Sequence, residues 1–119
     1  MNGEPHTQEA AELEAVMAHV LINTVGGIRG AGRILARRAA SLSPGHRRDL
    51  LGVVVSGADH ARQLSAAAPP LLAALARGYA AEVELALSSG DPAGVVVASD
   101  RLVDDLGYLA RGMEPLQPT

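Results

Sequence analysis

The chain has 119 residues, a formal net charge of -3 and 48% apolar residues, with no Cys, Phe or Trp. That length holds one domain, or one protomer of a small oligomer, and the acidic balance argues against a general nucleic-acid binder, which needs a basic stripe. Without cysteine there is no disulfide framework, thiol catalyst or thiolate metal site, and no apolar run nears the roughly 18 residues of a membrane span. A core of Ala, Val and Leu packs tightly but removes little area per residue from water. Burial of further surface in a dimer is therefore expected. Met1 to Glu9 is polar and lacks the basic-then-apolar order of a signal peptide, so a cytoplasmic location is expected.

Residues 1–7 read as a disordered lead-in, with Thr7 as N-cap of a first helix that runs to about Ala40. Glu9, Glu12 and Glu14 near its start and Arg33, Arg37 and Arg38 near its end suit the helix macrodipole. Ser43 as N-cap and Pro44 at the first helical position open a second helix, about 44–67. Its apolar line is Leu50, Leu51, Val54, Ala58, Ala61 and Leu64. Two long helices and a short turn predict an antiparallel hairpin over residues 8–67. Pro69-Pro70 breaks the chain before a third helix, about 70–89, carrying Leu72, Leu75, Tyr79, Val83 and Leu87. Ser88 to Pro92 is a stop-and-start signal. The last helix, about 92–111, holds Val95, Val96, Leu102, Val103, Leu106 and Leu109, and Gly94 to Val97 is the one stretch where a short strand fits. Residues 68–111 thus form a C-terminal helical pair and 112–119 a Pro-rich tail. The expected fold is all-α: an antiparallel hairpin dimerising into a four-helix bundle, with two additional C-terminal helices. Its expected core is Met17, Leu21, Ile28, Leu35, Leu50, Val54, Ala61 and Leu64.

At about 100° per residue, the apolar residues of the first helix cluster away from His19. Asn23, Gly26, Gly30, Arg33 and Arg37 fall close to it. His19 therefore belongs to a polar, small-residue face open to water or a partner. Gly26, Gly27, Gly30 and Gly32 each cost roughly 1 kcal/mol relative to Ala inside a helix. Either a neighbouring helix approaches closely there, or Gly26-Gly27 supplies a bend.

The segment His19 to Leu35 resembles the phosphoacceptor motif of sensor histidine kinases, in their dimerisation and histidine phosphotransfer domain. His19, Leu21, Asn23, Val25, Ile28, Gly30 and Leu35 carry the resemblance, which covers roughly residues 10–66. Arg47 to Leu64 resembles that domain's return helix. The resemblance implies a homodimeric four-helix bundle with His19 exposed on its flank. Val20 stands where the family places an acid that helps deprotonate the histidine, and a hydrophobe is no general base. Ile22 replaces the family's basic residue and Thr24 its proline. No ATP-binding segment follows Pro70, so autokinase activity is not expected.

Two readings follow from the resemblance. In one, the fold serves as a homodimeric adaptor or regulator of two-component type, without chemistry. In the other, His19 exchanges a phosphoryl group with a response regulator, which brings its own acid pocket and Mg²⁺. The partner then docks on Asn23, Gly26, Gly30, Arg33 and Arg37, and Arg29, Arg33 or Arg37 steers the phosphoryl end. A different class is a structural helical dimer whose C-terminal helices bind an unrelated protein. A small-ligand sensor, with a pocket between the second and third helices, is disfavoured by the scarcity of aromatics. No cofactor is implied. No two histidines share a helix face, so a metal site has no local support. His60 beside Asp59, His46 in a first turn and His6 in the lead-in read as side chains in contact with water, as do Asp100, Asp104, Asp105, Glu82 and Glu84. The arginines from Arg29 to Arg48 gather at one end of the hairpin, which suits an acidic partner.

Overall fold

The computed structural model describes residues 3–112, with side chains from Glu12 to Tyr108. It contains α1 (Gly3–Arg38), a 3₁₀ turn (Ala39–Ser41), α2 (Pro44–Ala67), α3 (Pro70–Ser88) and α4 (Pro92–Gly112). Residues 3–7, expected as a disordered lead-in, are helical instead. Pro5 falls in the first turn of α1, where its missing N–H breaks no intrahelical bond. Met1, Asn2 and residues 113–119 of the expected tail lie outside the described residues, whereas Gly112 is the last residue of α4.

The connections follow from local chemistry. The turn after α1 tightens as Leu42 N–H donates to the Arg38 carbonyl at 3.1 Å. Ser43 caps α2, its hydroxyl accepting from His46 N–H at 3.1 Å, and Pro44 takes the first helical position. Between α3 and α4, Gly90 adopts φ +67°, the left-handed conformation that closes helix C-termini. Gly90 N–H then donates to the Leu87 carbonyl and Asp91 N–H to that of Ala86. Gly94 to Val97 lies inside α4 rather than in a strand. Pro92 sets the helical start, and Val95 keeps helical register with Leu102 and Leu106 on the buried side.

Each helix packs on its neighbours in sequence, and α4 returns to pack along α1, while α1 and α3 meet only sparsely. One chain therefore forms a four-helix bundle by itself. The C-terminal helices occupy two corners of that bundle rather than being added to a finished one. A single core joins all four, from Leu21, Val25 and Ile28 through Val54 and Ala61 to Leu72, Val83, Val95 and Leu106. Of the expected core positions, Leu21, Ile28, Leu35, Val54 and Ala61 are buried, and Met17, Leu50 and Leu64 are half-buried against them.

Glycine and alanine let the helices approach. A Cβ on Gly32 would lie 2.9 Å from Val95 Cγ1, and one on Gly57 would overlap the Ile28 side chain. The close-approach explanation therefore holds for Gly32 and extends to Gly57. It fails for Gly26, Gly27 and Gly30, which have nothing within 4 Å of such a Cβ. The bundle measures 60 × 33 × 18 Å because α1, at 36 residues, outruns the 24, 19 and 21 residues of the others. With Gly32 against Val95 and Arg29 against Asp100, equal rises per residue bring Gly112 level with Met17. The earlier part of α1 runs on beyond α4, and Leu13 and Val16 are 54% and 59% exposed.

Candidate functional site

The outward face of α1 holds every residue singled out around His19. His19, Asn23, Arg33 and Arg37 are exposed, Gly26 is open and Gly30 half-exposed. This placement follows from the helix itself. Leu21, Val25, Ile28, Ala31 and Leu35 turn inward at helical spacing, which leaves His19 and its neighbours on the opposite side. Thr24, at the family's proline position, keeps α1 continuous, its hydroxyl donating to the Val20 carbonyl at 3.0 Å.

Charge divides this face into two kinds of arginine. Arg29 is drawn away to α4, where Nε donates to Asp100 Oδ1 at 2.5 Å. That pair ties α1 to α4. Arg33 and Arg37 make no ion pair among the described residues. The Val20 side chain, 36% exposed beside His19, offers neither charge nor hydrogen bond. Among the described residues the site has cations and an imidazole, and no carboxylate pairs with that imidazole.

Several groups that sequence reasoning assigned to a solvated surface are partnered across helices. Arg62 donates to Glu84, tying α2 to α3, and Arg101 donates to Glu82 at 3.0 Å, tying α3 to α4. Glu84, first by its hydrogen bond and then by its charge, raises the Arg62 pKa further above its ordinary value. Asp59 engages Gln63 and Arg62 rather than His60. The most buried polar pair is Tyr79 with Ser99, 2.7 Å apart. Ser99 donates its one proton to the Val95 carbonyl, so Tyr79 donates to Ser99. Burial pushes the Tyr79 pKa up to about 12. A serine in line with Val95, Leu102 and Leu106 was the available signal for this pair.

Two cavities among the described residues lie away from His19. One, about 120 Å³, runs between α3 and α4 beside Tyr79 and Arg101. The other, about 380 Å³, sits at the turn end over Leu35, Leu51 and Leu87, with Arg47 and Asp91 on its wall. Arg47 also donates to the Ala39 carbonyl at 2.5 Å. No group of three His, Asp or Glu side chains comes together as a metal ligand set among the described residues. No helix among them is long and apolar enough to cross a membrane.

No family model matches this chain, and no curated protein or solved structure matches it.

Proposed function

We propose that the protein is a non-kinase signalling module of two-component type, acting as a homodimeric adaptor or regulator through protein–protein contact. In this reading α1 and α2 are an antiparallel hairpin, and the outward face of α1 is the contact surface. The observation that carries it is the bare stretch at Gly26, Gly27 and Gly30. Three glycines cost a helix about 3 kcal/mol together, and no neighbour inside the bundle uses the space they leave. An external chain approaching the α1 backbone supplies the missing reason. His19, Asn23, Arg33 and Arg37 flank that stretch and give the approaching partner polar and cationic contacts.

Phosphotransfer at His19 is the second reading, favoured by the exposure of the imidazole and by the unpaired Arg33 and Arg37. A neutral imidazole nitrogen attacks the phosphorus of a phosphoaspartate on a response regulator. The nitrogen–phosphorus bond forms as the aspartyl phosphorus–oxygen bond breaks, which releases the regulator's carboxylate. Arg33 and Arg37 offset the charge of the phosphoryl oxygens. Exposed Leu71, Leu85 and Val97 on the C-terminal helices instead suit a structural dimer that binds an unrelated protein there.

One experiment separates these readings. Purified protein and its His19→Gln variant are incubated with phosphorylated response regulators. Acid-labile, base-stable label on the parent alone establishes the transferase. No label, with regulator binding that Arg33→Glu abolishes, establishes the adaptor. Regulator binding by neither protein removes the two-component reading.

A further inference from the structure

We propose that the outward face of α1 pairs with the same face of a second copy, the two α1 helices running antiparallel. This rests on the reading of that face as a contact surface, and it names the occupant and the register.

The first observation is apolar. Val16, Val20 and Ile34 are 59%, 36% and 40% exposed, and they lie with Asn23, Gly27 and Gly30 in one stripe of the helix. The glycines sit near the middle of the stripe and the large side chains toward its ends. Two such helices cross closely at the glycines, about 8 Å apart. The branched side chains at either end then find cover.

The second observation, charge, selects the occupant. Between Gly3 and His19 the sequence has four glutamates and no arginine, and between Arg29 and Arg48 it has six arginines and no acid. Glu12, Arg33, Arg37 and Arg38 are exposed and make no ion pair among the described residues. A helix that is acidic in one half and basic in the other is complementary to itself only when reversed. Setting Asn23 against Gly27 of the second copy brings Val16 opposite Ile34 and Glu12 opposite Arg38. The contact is isologous, as a two-fold axis requires. The part of α1 that outruns α4 then lies along the second copy's arginine-rich end. The rival surface on α3, with Leu71 and Leu85 exposed, carries one arginine, Arg77, ahead of Glu82 and Glu84, and both glutamates are already paired within the chain. The second copy is thus the external chain that the glycines admit, and His19 and Arg33 lie to one side of the stripe.

The chain has no cysteine, so single replacements report the register. Under mild oxidation, Val16→Cys mixed with Ile34→Cys is expected to cross-link, and Gly26→Cys is expected to cross-link with itself. Val16→Cys alone is expected not to. In sedimentation, Arg37→Glu with Arg38→Glu weakens the dimer at least about tenfold, and adding Glu12→Arg restores it. Gly27→Leu abolishes the dimer while raising the monomer's melting temperature, which separates lost pairing from lost folding. Self-linking of Val16→Cys overturns the antiparallel register, and dissociation by Leu85→Arg but not by Gly27→Leu overturns the face. A monomer at every concentration whose regulator binding is still lost in Arg33→Glu overturns the second copy and leaves the contact surface standing. A monomer indifferent to every α1 substitution overturns both.

Discussion

The seam between α1 and α2 and the outward face of α1 use the same residue type under opposite constraints. At the seam, Gly57 lies so close beneath Ile28 that a methyl group there overlaps the isoleucine side chain. On the outward face, Gly26, Gly27 and Gly30 have open space where a side chain would go. The first glycine is required by the packing of one chain. The other three weaken α1 with nothing inside the bundle to offset the cost. A glycine's neighbours, rather than its presence in a helix, decide whether it belongs to the fold or to a contact beyond it.

The sharpest way to break this comparison is to fill the seam. Gly57→Leu is expected to destabilise by about 3 kcal/mol, read by denaturant unfolding, because Ile28 is 1% exposed and has nowhere to move. Pairing it with Ile28→Ala returns part of the loss, and the double-mutant cycle measures the contact. Filling the outer positions has the opposite sign. Gly26→Ala, Gly27→Ala and Gly30→Ala should each stabilise the dilute monomer by about 1 kcal/mol, seen as a rising melting temperature. A fall at any of them would place that glycine in the seam class.

Tyr79→Phe tests the other buried contact and should cost about 1 kcal/mol, because Ser99 keeps its bond to the Val95 carbonyl. It also removes a segment of alkaline unfolding. The folded Tyr79 holds its proton to about 12 against the ordinary 10. Its contribution is full below pH 10 and is lost as the pH rises from 10 to about 12. The parent should lose stability across that window relative to Tyr79→Phe. The smallest effect belongs to Asp100→Asn, which breaks the half-exposed pair with Arg29. Less than about 1 kcal/mol is expected, and salt should shrink it further.

Much of the architecture was legible because its signals are local. Ser43-Pro44, Pro69-Pro70 and Gly90-Asp91-Pro92 punctuate the chain, and the connections fall at those residues. The inward line from Leu21 to Leu35 needs only the helical period. The helical start at Gly3 was missed because residues 1–7 read as a disordered lead-in, although a first turn tolerates Pro5. What periodicity cannot carry is pairing between helices. Nothing local says that Arg62 meets Glu84, that Arg29 leaves the His19 face for Asp100, or that Gly57 rather than Gly26 lies under Ile28. The same limit applies to the C-terminal helices. Their amphipathic lines predicted burial, but whether they complete the bundle depends on contacts between distant segments. The exposure of His19 was legible from one helix alone, because it follows from the positions of its apolar neighbours.

Because each helix touches the next and the connections are short, most contacts form between segments close in the chain. Such a topology folds rapidly, in milliseconds or less. The exception is the seam where Gly32 and Arg29 meet Val95 and Asp100, which joins the two ends of the sequence. Closing it carries the largest loop entropy in the molecule. Because that seam is also the broadest of the helix–helix contacts, the loop that costs most to close is the one the fold then grips most widely.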